Sequence, residues 1–140
     1  MQRRIVILRH GRTAWNAARR YQGQEDPPLD ELGQVQAIEA AALVAAMRPD
    51  LVLTSDLSRA RQTAQKLASL TGLELREDSR LRERHLGHWQ GLTRDEVARR
   101  FPDEFADWLA GRDVTRRGGE TRAQVAARAL ELVHEWPEVE

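Results

Sequence analysis

A chain of 140 residues has the length of one domain, and its 41% hydrophobic and 31% charged residues are an ordinary globular mix. Its 22 basic and 22 acidic residues cancel, which excludes the basic excess of a dedicated nucleic-acid or membrane-surface binder. The absence of cysteine excludes disulfides, thiol catalysis and zinc–thiolate sites.

Met1-Gln2-Arg3-Arg4 leads into an apolar stretch too short for a secretory signal, and no apolar run reaches membrane-spanning length. The expected location is cytoplasmic. Ile5-Val6-Ile7-Leu8 is a continuous run, mostly β-branched, that predicts a strand buried on both faces of a parallel sheet. Arg9-His10-Gly11-Arg12-Thr13 follows at its carboxyl end, where α/β sheets collect their chemistry. Gly23, Asp26, Pro27, Pro28 and Asp30 mark a loop, with Asp30 as the cap of the next helix. That helix places Leu32, Val35, Ala42, Leu43 and Ala46 at roughly helical spacing and ends before Pro49.

Leu51-Val52-Leu53 reads as a second strand. The helix after it aligns Leu57, Ala60, Ala64, Leu67 and Ala68, with Gly72 as its stop, and Leu73-Glu74-Leu75 reads as a third strand. Thr93 with Glu96 forms a capping box, Pro102 ends that helix, and Phe105, Trp108 and Leu109 make a further apolar face. Gly118-Gly119 is a loop, and Thr121 with Gln124 opens a last helix with Val125, Ala126, Ala129, Leu130 and Val133 inward, stopping near Pro137. The order predicts a single α/β domain over residues 1–140, a three-layer sandwich of mostly parallel sheet with helices on both faces. Three strands make a thin sheet for that fold, and the chain ends on a helix where an α/β unit returns to its sheet.

A histidine after a buried strand and beside an arginine is a candidate nucleophile for phosphorus, because imidazole keeps a lone pair near neutral pH. Arginine holds phosphate oxygens through a planar fork. Taken alone, Arg9-His10-Gly11 is more often a strand-end histidine in a polar turn. Lys66 is the one lysine among 22 basic residues, an excess of arginine attributed mainly to codon bias. His85 and His88 have a spacing that can bind metal, but no further ligand cluster accompanies them, so no metal and no cofactor is expected. Trp89 and Trp108 are read as packing residues.

Leu8-Arg9-His10-Gly11-Arg12-Thr13-Ala14-Trp15-Asn16 resembles the opening signature of the histidine phosphatase, or phosphoglycerate mutase-like, superfamily. The likeness continues through Gln22-Gly23, Asp26, Pro28-Leu29, Gly33 and Gln36-Ala37, then Ser55 to Ala64, then Leu81-Arg82-Glu83-Arg84-His85-Leu86-Gly87 on to Thr93, and closes on Gly118-Gly119-Glu120-Thr121. The resemblance implies that His10 attacks phosphorus and becomes a phosphohistidine. It implies that Arg9 and Arg59 clamp the phosphate, that Asn16, Gln22 and Gly23 line its pocket, and that Glu83 protonates the leaving oxygen. His85 lies in a stretch that lines the site in related enzymes. Arg12 stands where the family frequently has an acidic residue.

The family's pattern continues past the final helix into a strand ending in a second His-Gly pair, which this sequence does not contain. His134 lies in the predicted last helix and is not assigned that role. The 140 residues are therefore expected to be an incomplete domain, truncated at the C-terminus. Three functions stay open. The first is metal-independent hydrolysis of a small phosphomonoester, of sugar phosphate or phosphoglycerate type. The second is mutase isomerisation. The third is phosphate binding by an inactive relative. The 34 residues from 84 to 117 are short for a mutase and favour the phosphatase, while Arg84-His85 after Glu83 is similar to the mutases. The block around Glu83 is similar to that of actinobacterial members acting on glucosyl-3-phosphoglycerate. The expected partner is a small phosphorylated substrate, with neither nucleic acid nor membrane, and the family analogy allows a homodimer.

Overall fold

The computed structural model describes residues 4–113 and 118–136. The elements run α1 (Ala14–Ala17), α2 (Glu31–Ala45), β1 (Val52–Thr54), α3 (Ser58–Thr71), β2 (Leu75–Glu77), α4 (Arg94–Arg100), α5 (Pro102–Leu109) and α6 (Arg122–Glu135), with single 3₁₀ turns at Ser79–Leu81 and Gly87–Trp89. The architecture is α/β, and β1 and β2 pair in parallel with Val52 opposite Leu75, Leu53 opposite Arg76 and Thr54 opposite Glu77. The Asp78 amide extends the ladder by donating to the Thr54 carbonyl at 2.9 Å.

The local signals hold where a specific side-chain bond sets them. Asp30 accepts from the Gly33 amide and starts α2. Thr93 with Glu96, and Thr121 with Gln124, form reciprocal capping boxes at α4 and α6. Gly72 takes the left-handed conformation that ends α3. Pro102 occupies the first turn of α5. Pro137, expected to end α6, lies outside the described residues.

Two cores form. Ala41 and Val44 of α2, Val52 of β1, and Ala64 and Leu67 of α3 make the first, with Leu8, Leu73 and Leu75 packed against it. Leu86, Trp89 and Val97 make the second, walled by Tyr21, Leu92, Phe101, Phe105 and Trp108. Trp89 lies 5.5 Å from Tyr21 and 5.3 Å from Trp108 between ring centroids, and its indole N–H donates to Glu104 at 2.8 Å. Trp89 and Trp108 are thus packing residues.

Three expectations are corrected. Ile5-Val6-Ile7-Leu8 joins no ladder among the described residues, and Ile7 is 92% exposed. Side-chain pattern reports a propensity, whereas a buried strand also needs strands beside it, and β1 pairs with β2 instead. In α2 the buried residues are Gly33, Ala37, Ala41 and Val44, while Leu32, Val35 and Leu43 are exposed. This helix is apolar almost all round, so periodicity does not choose its face. Close packing on α3 and on the His10 segment does, and that favours small residues. In α6 the buried residue is Leu132, with Ala126 and Leu130 exposed. Arg128, one turn before Leu132, is drawn inward by carbonyl and carboxylate acceptors and so sets the face.

Replacing Trp89 by alanine removes the centre of the second core. The expected cost is about 3–5 kcal/mol, read as a fall in the urea midpoint. Leu109→Ala, at a position 61% exposed, should stay within about 0.5 kcal/mol of the parent.

Candidate active site

His10 sits half-buried in a segment whose backbone is tied to α3 at Gly11 and to α2 at Arg12. The Gly11 amide donates to the Thr63 hydroxyl at 3.0 Å, and Thr63 in turn donates to the Arg59 carbonyl at 2.8 Å. The Arg12 amide donates to Gln36 at 2.9 Å, and the Arg12 carbonyl accepts from the Asp30 amide at 3.0 Å. A Cβ on Gly11 would stand 2.3 Å from the Gly33 carbonyl oxygen, and one on Gly33 would stand 2.0 Å from the Arg12 oxygen. Two glycines are required because the segment lies directly on the first turn of α2.

The imidazole has one defined tautomer. Its Nδ1 lies 2.6 Å from the Gly11 carbonyl oxygen, and a carbonyl only accepts, so Nδ1 carries the proton. Nε2 is left with its lone pair. Burial pulls the His10 pKa below 6.5, helped by the positive charges of Arg59 and Arg9, against the opposing pull of the Gly11 carbonyl and Glu83. The neutral, nucleophilic form is therefore favoured at neutral pH.

Arg59 is 2% exposed. Its guanidinium donates to the Gly23 carbonyl at 2.7 Å and to the Glu25 carbonyl at 2.8 Å. Neither acceptor carries a full charge, and among the described residues no carboxylate lies within ion-pair distance of it. Burial lowers its pKa, and the charges of Glu83 and Asp26 oppose that shift. An arginine remains charged regardless, so a desolvated cation with donors to spare acts on His10 through its charge. Arg9 is exposed and contributes its charge to His10 from the solvent side.

Asn16 and Gln22 present their donors by elimination. Thr13 caps α1, with its amide donating to Asn16 Oδ1 at 3.0 Å and its hydroxyl accepting from the Asn16 amide at 3.1 Å. The Thr13 hydroxyl also lies 2.7 Å from Gln22 Oε1. With both carbonyl oxygens taken up by Thr13, the two amide NH₂ groups are the ends available to a ligand. Gly23 is left-handed, and a Cβ there would meet Gln90 Oε1 at 2.2 Å. That oxygen accepts from the Gln24 and Leu86 amides at 2.9 and 3.1 Å, joining the 22–24 loop to the Glu83 segment.

Glu83 is exposed, and its Oε1 accepts from the Arg84 amide at 2.7 Å. Its charge acts on both His10 and Arg59. His85 is half-buried, and its Nδ1 accepts from the Gly87 amide at 3.0 Å, which leaves Nε2 as the donor of the neutral ring. His88 instead pairs with Glu104 at 2.9 Å and stacks on Phe101, so the two histidines serve separate neighbours. Among the described residues no group of three or more histidine, aspartate and glutamate side chains is placed to hold a metal. No helix among them is long and apolar enough to cross a membrane. His134 is exposed on α6. Asp26, whose carboxylate accepts from the Ser58 amide and hydroxyl, borders a concavity of about 730 Å³ with Trp15, Pro28 and Asp30.

Sequence reasoning missed Thr63, Gln24, Gln90 and Arg128. Thr63 stands one helical turn after Arg59, and Gln24 directly follows Gln22-Gly23, so spacing offered a signal for these two. Arg128 had none in a chain so rich in arginine.

The chain resembles known proteins along most of its length. The family model described as histidine phosphatase superfamily (branch 1) matches residues 5–140. Glucosyl-3-phosphoglycerate phosphatase of Mycobacterium tuberculosis is 47% identical over 133 residues, covering 95% of this chain and 60% of that protein. A 2,3-bisphosphoglycerate-dependent phosphoglycerate mutase of Azorhizobium caulinodans is 36% identical over 136 residues, covering 93% of this chain and 66% of that one. The structure of mycobacterial glucosyl-3-phosphoglycerate phosphatase complexed with VO3 superposes with a TM-score of 0.82 at 46% identity, over 90% of this chain and 60% of that one. The chain thus spans about three-fifths of the length of the phosphatases it matches.

The lowered His10 pKa fixes a sign. Below 6.5 an unfolded histidine takes up a proton that the folded one still refuses, so the His10 contribution to stability falls as pH drops toward the folded value. An imidazole NMR titration of the folded chain should give a midpoint below 6.5 for His10, and His10→Asn should weaken the loss of stability on acidification through that range. Gly33→Ala should cost about 1–3 kcal/mol by overpacking against the Arg12 backbone, measured as a fall in Tm together with a shifted His10 resonance.

Proposed function

The chain belongs to the histidine phosphatase superfamily, and on that premise we propose that it carries the phosphoryl-transfer centre of a metal-independent phosphomonoesterase. The observation that carries the reading is His10 itself, with Nδ1 protonated against the Gly11 carbonyl and a free Nε2 lone pair beside the buried cation of Arg59. Phosphoryl transfer asks little of a protein beyond alignment and charge stabilisation. Arg59, Arg9 and the NH₂ groups of Asn16 and Gln22 form a donor set suited to a phosphate dianion.

In this reading Nε2 of His10 attacks phosphorus and the ester P–O bond breaks. Glu83 delivers a proton to the departing oxygen. Water then attacks the phosphohistidine, Glu83 takes up a proton from that water, and inorganic phosphate leaves. His85, through Nε2–H, contacts the substrate. The substrate in this reading is a small ester, of sugar phosphate or phosphoglycerate type. The name of the mycobacterial relative supports that class. Transfer back to a second oxygen of the same substrate is the competing reading, and the mutase relative favours it. The 34 residues from 84 to 117 favour hydrolysis.

The test is turnover of p-nitrophenyl phosphate in the presence of EDTA. Hydrolysis should survive the chelator and fall to background in His10→Ala, with acid quench trapping phosphate on His10 of the parent. Phosphate released by His10→Ala at the parent rate would refute the assignment. With 3-phosphoglycerate, release of inorganic phosphate marks the phosphatase and formation of the 2-isomer marks the mutase.

A further inference from the structure

We propose that Arg128 and Glu120 form a latch that positions the Glu83 segment, an inference that rests on the phosphatase reading of Glu83. Both residues lie more than 35 positions beyond Glu83 in sequence. Arg128 of α6 donates from Nε and Nη2 to the Glu120 carboxylate at 2.9 and 3.0 Å. The same guanidinium donates from Nη2 to the Glu83 carbonyl at 3.1 Å and from Nη1 to the Arg80 carbonyl at 2.6 Å. Glu120 Oε2 accepts from the His85 amide at 2.8 Å, and the Glu120 amide donates to the His85 carbonyl at 2.9 Å. Gln24 closes the ring, with its side-chain NH₂ 3.1 Å from the Glu83 carbonyl and 3.4 Å from Glu120 Oε2. Three backbone groups at and just after Glu83 are held. Its carbonyl is held by Arg128 and Gln24, the Arg84 amide by Glu83 itself, and the His85 amide by Glu120.

The latch is preorganised. Hydrogen bonds from Arg128 hold the Glu120 carboxyl below the usual carboxylate range, so the pair stays ionised through neutral pH. Arg84, 9% exposed, reinforces it by donating to the Glu120 carbonyl at 2.7 Å and to Asp113 at 3.1 Å. Asp113 in turn accepts the Arg122 and Ala123 amides and seats the start of α6. A bidentate arginine–carboxylate pair that also takes two carbonyls restricts the segment more than an isolated surface ion pair could. An acid held to within fractions of an ångström matters when the leaving group is a poor one.

The choice of leaving group separates positioning from general damage. p-Nitrophenolate departs without a proton, whereas the alkoxide of 3-phosphoglycerate requires one. In the 140-residue chain, Arg128→Ala should lower kcat on 3-phosphoglycerate by about 30-fold or more, inside the range of a lost general acid, and kcat on p-nitrophenyl phosphate by less than about threefold. Glu120→Gln, nearly isosteric, should show the same selectivity and carries the test if Arg128→Ala does not fold. Equal losses on the two esters, or no loss on either, would overturn the latch. Amide exchange at His85, read without substrate, should quicken at least about tenfold in the variants. Unchanged exchange would overturn the latch whatever the activity. A parent chain inactive on both esters counts against the proposed function, while the exchange measurement still decides the latch.

Discussion

The structure turns on one buried charge. Arg59 lies at the start of α3 with 2% of its surface exposed, and a guanidinium taken out of water must be met by acceptors. The 22–25 loop bends to supply them. Gly23 adopts a left-handed turn that brings its own carbonyl and that of Glu25 onto the guanidinium. Carbonyls satisfy hydrogen-bond donors without cancelling charge. Burial lowers the proton affinity of His10, and the remaining positive potential of Arg59 adds to that shift.

From that point the restraints spread outward through backbone groups. The Arg59 carbonyl accepts from Thr63, whose hydroxyl receives the Gly11 amide, so helix α3 holds both the cation and the His10 segment. Gln90 joins the 22–24 loop to Leu86 of the second core. Tyr21 spans the same junction, with its amide bonded to the Leu92 carbonyl and its ring against Trp89. The aromatic cluster thus fixes the distance between the 22–24 loop and the stretch that carries Glu83.

Much of the local structure was legible beforehand. Asp30, Thr93 and Thr121 each bond an amide three residues ahead, an interaction set by local sequence. His10, Arg59 and Glu83 came forward as candidates because an ordered set of motifs named them together. Burial was legible less often. Arg59 looks from its helix like a solvated cation and is among the most buried residues in the chain. The apolar faces of α2 and α6 were misread, because one helix offers apolar residues in all directions and the other is turned by Arg128.

Sequence alone determined the α/β class, the caps that start and stop the helices, and the motifs that mark the family, all of which depend on interactions within a few positions or on motif identity. Tertiary structure alone decided which residues are inside, which tautomer His10 adopts, and which distant residues brace Glu83. The reason is one of range. A cap closes within one turn of chain, whereas Gly11 reaches Thr63 across 52 positions and Arg128 reaches Glu83 across 45. Partners that far apart leave no periodicity for a sequence to show.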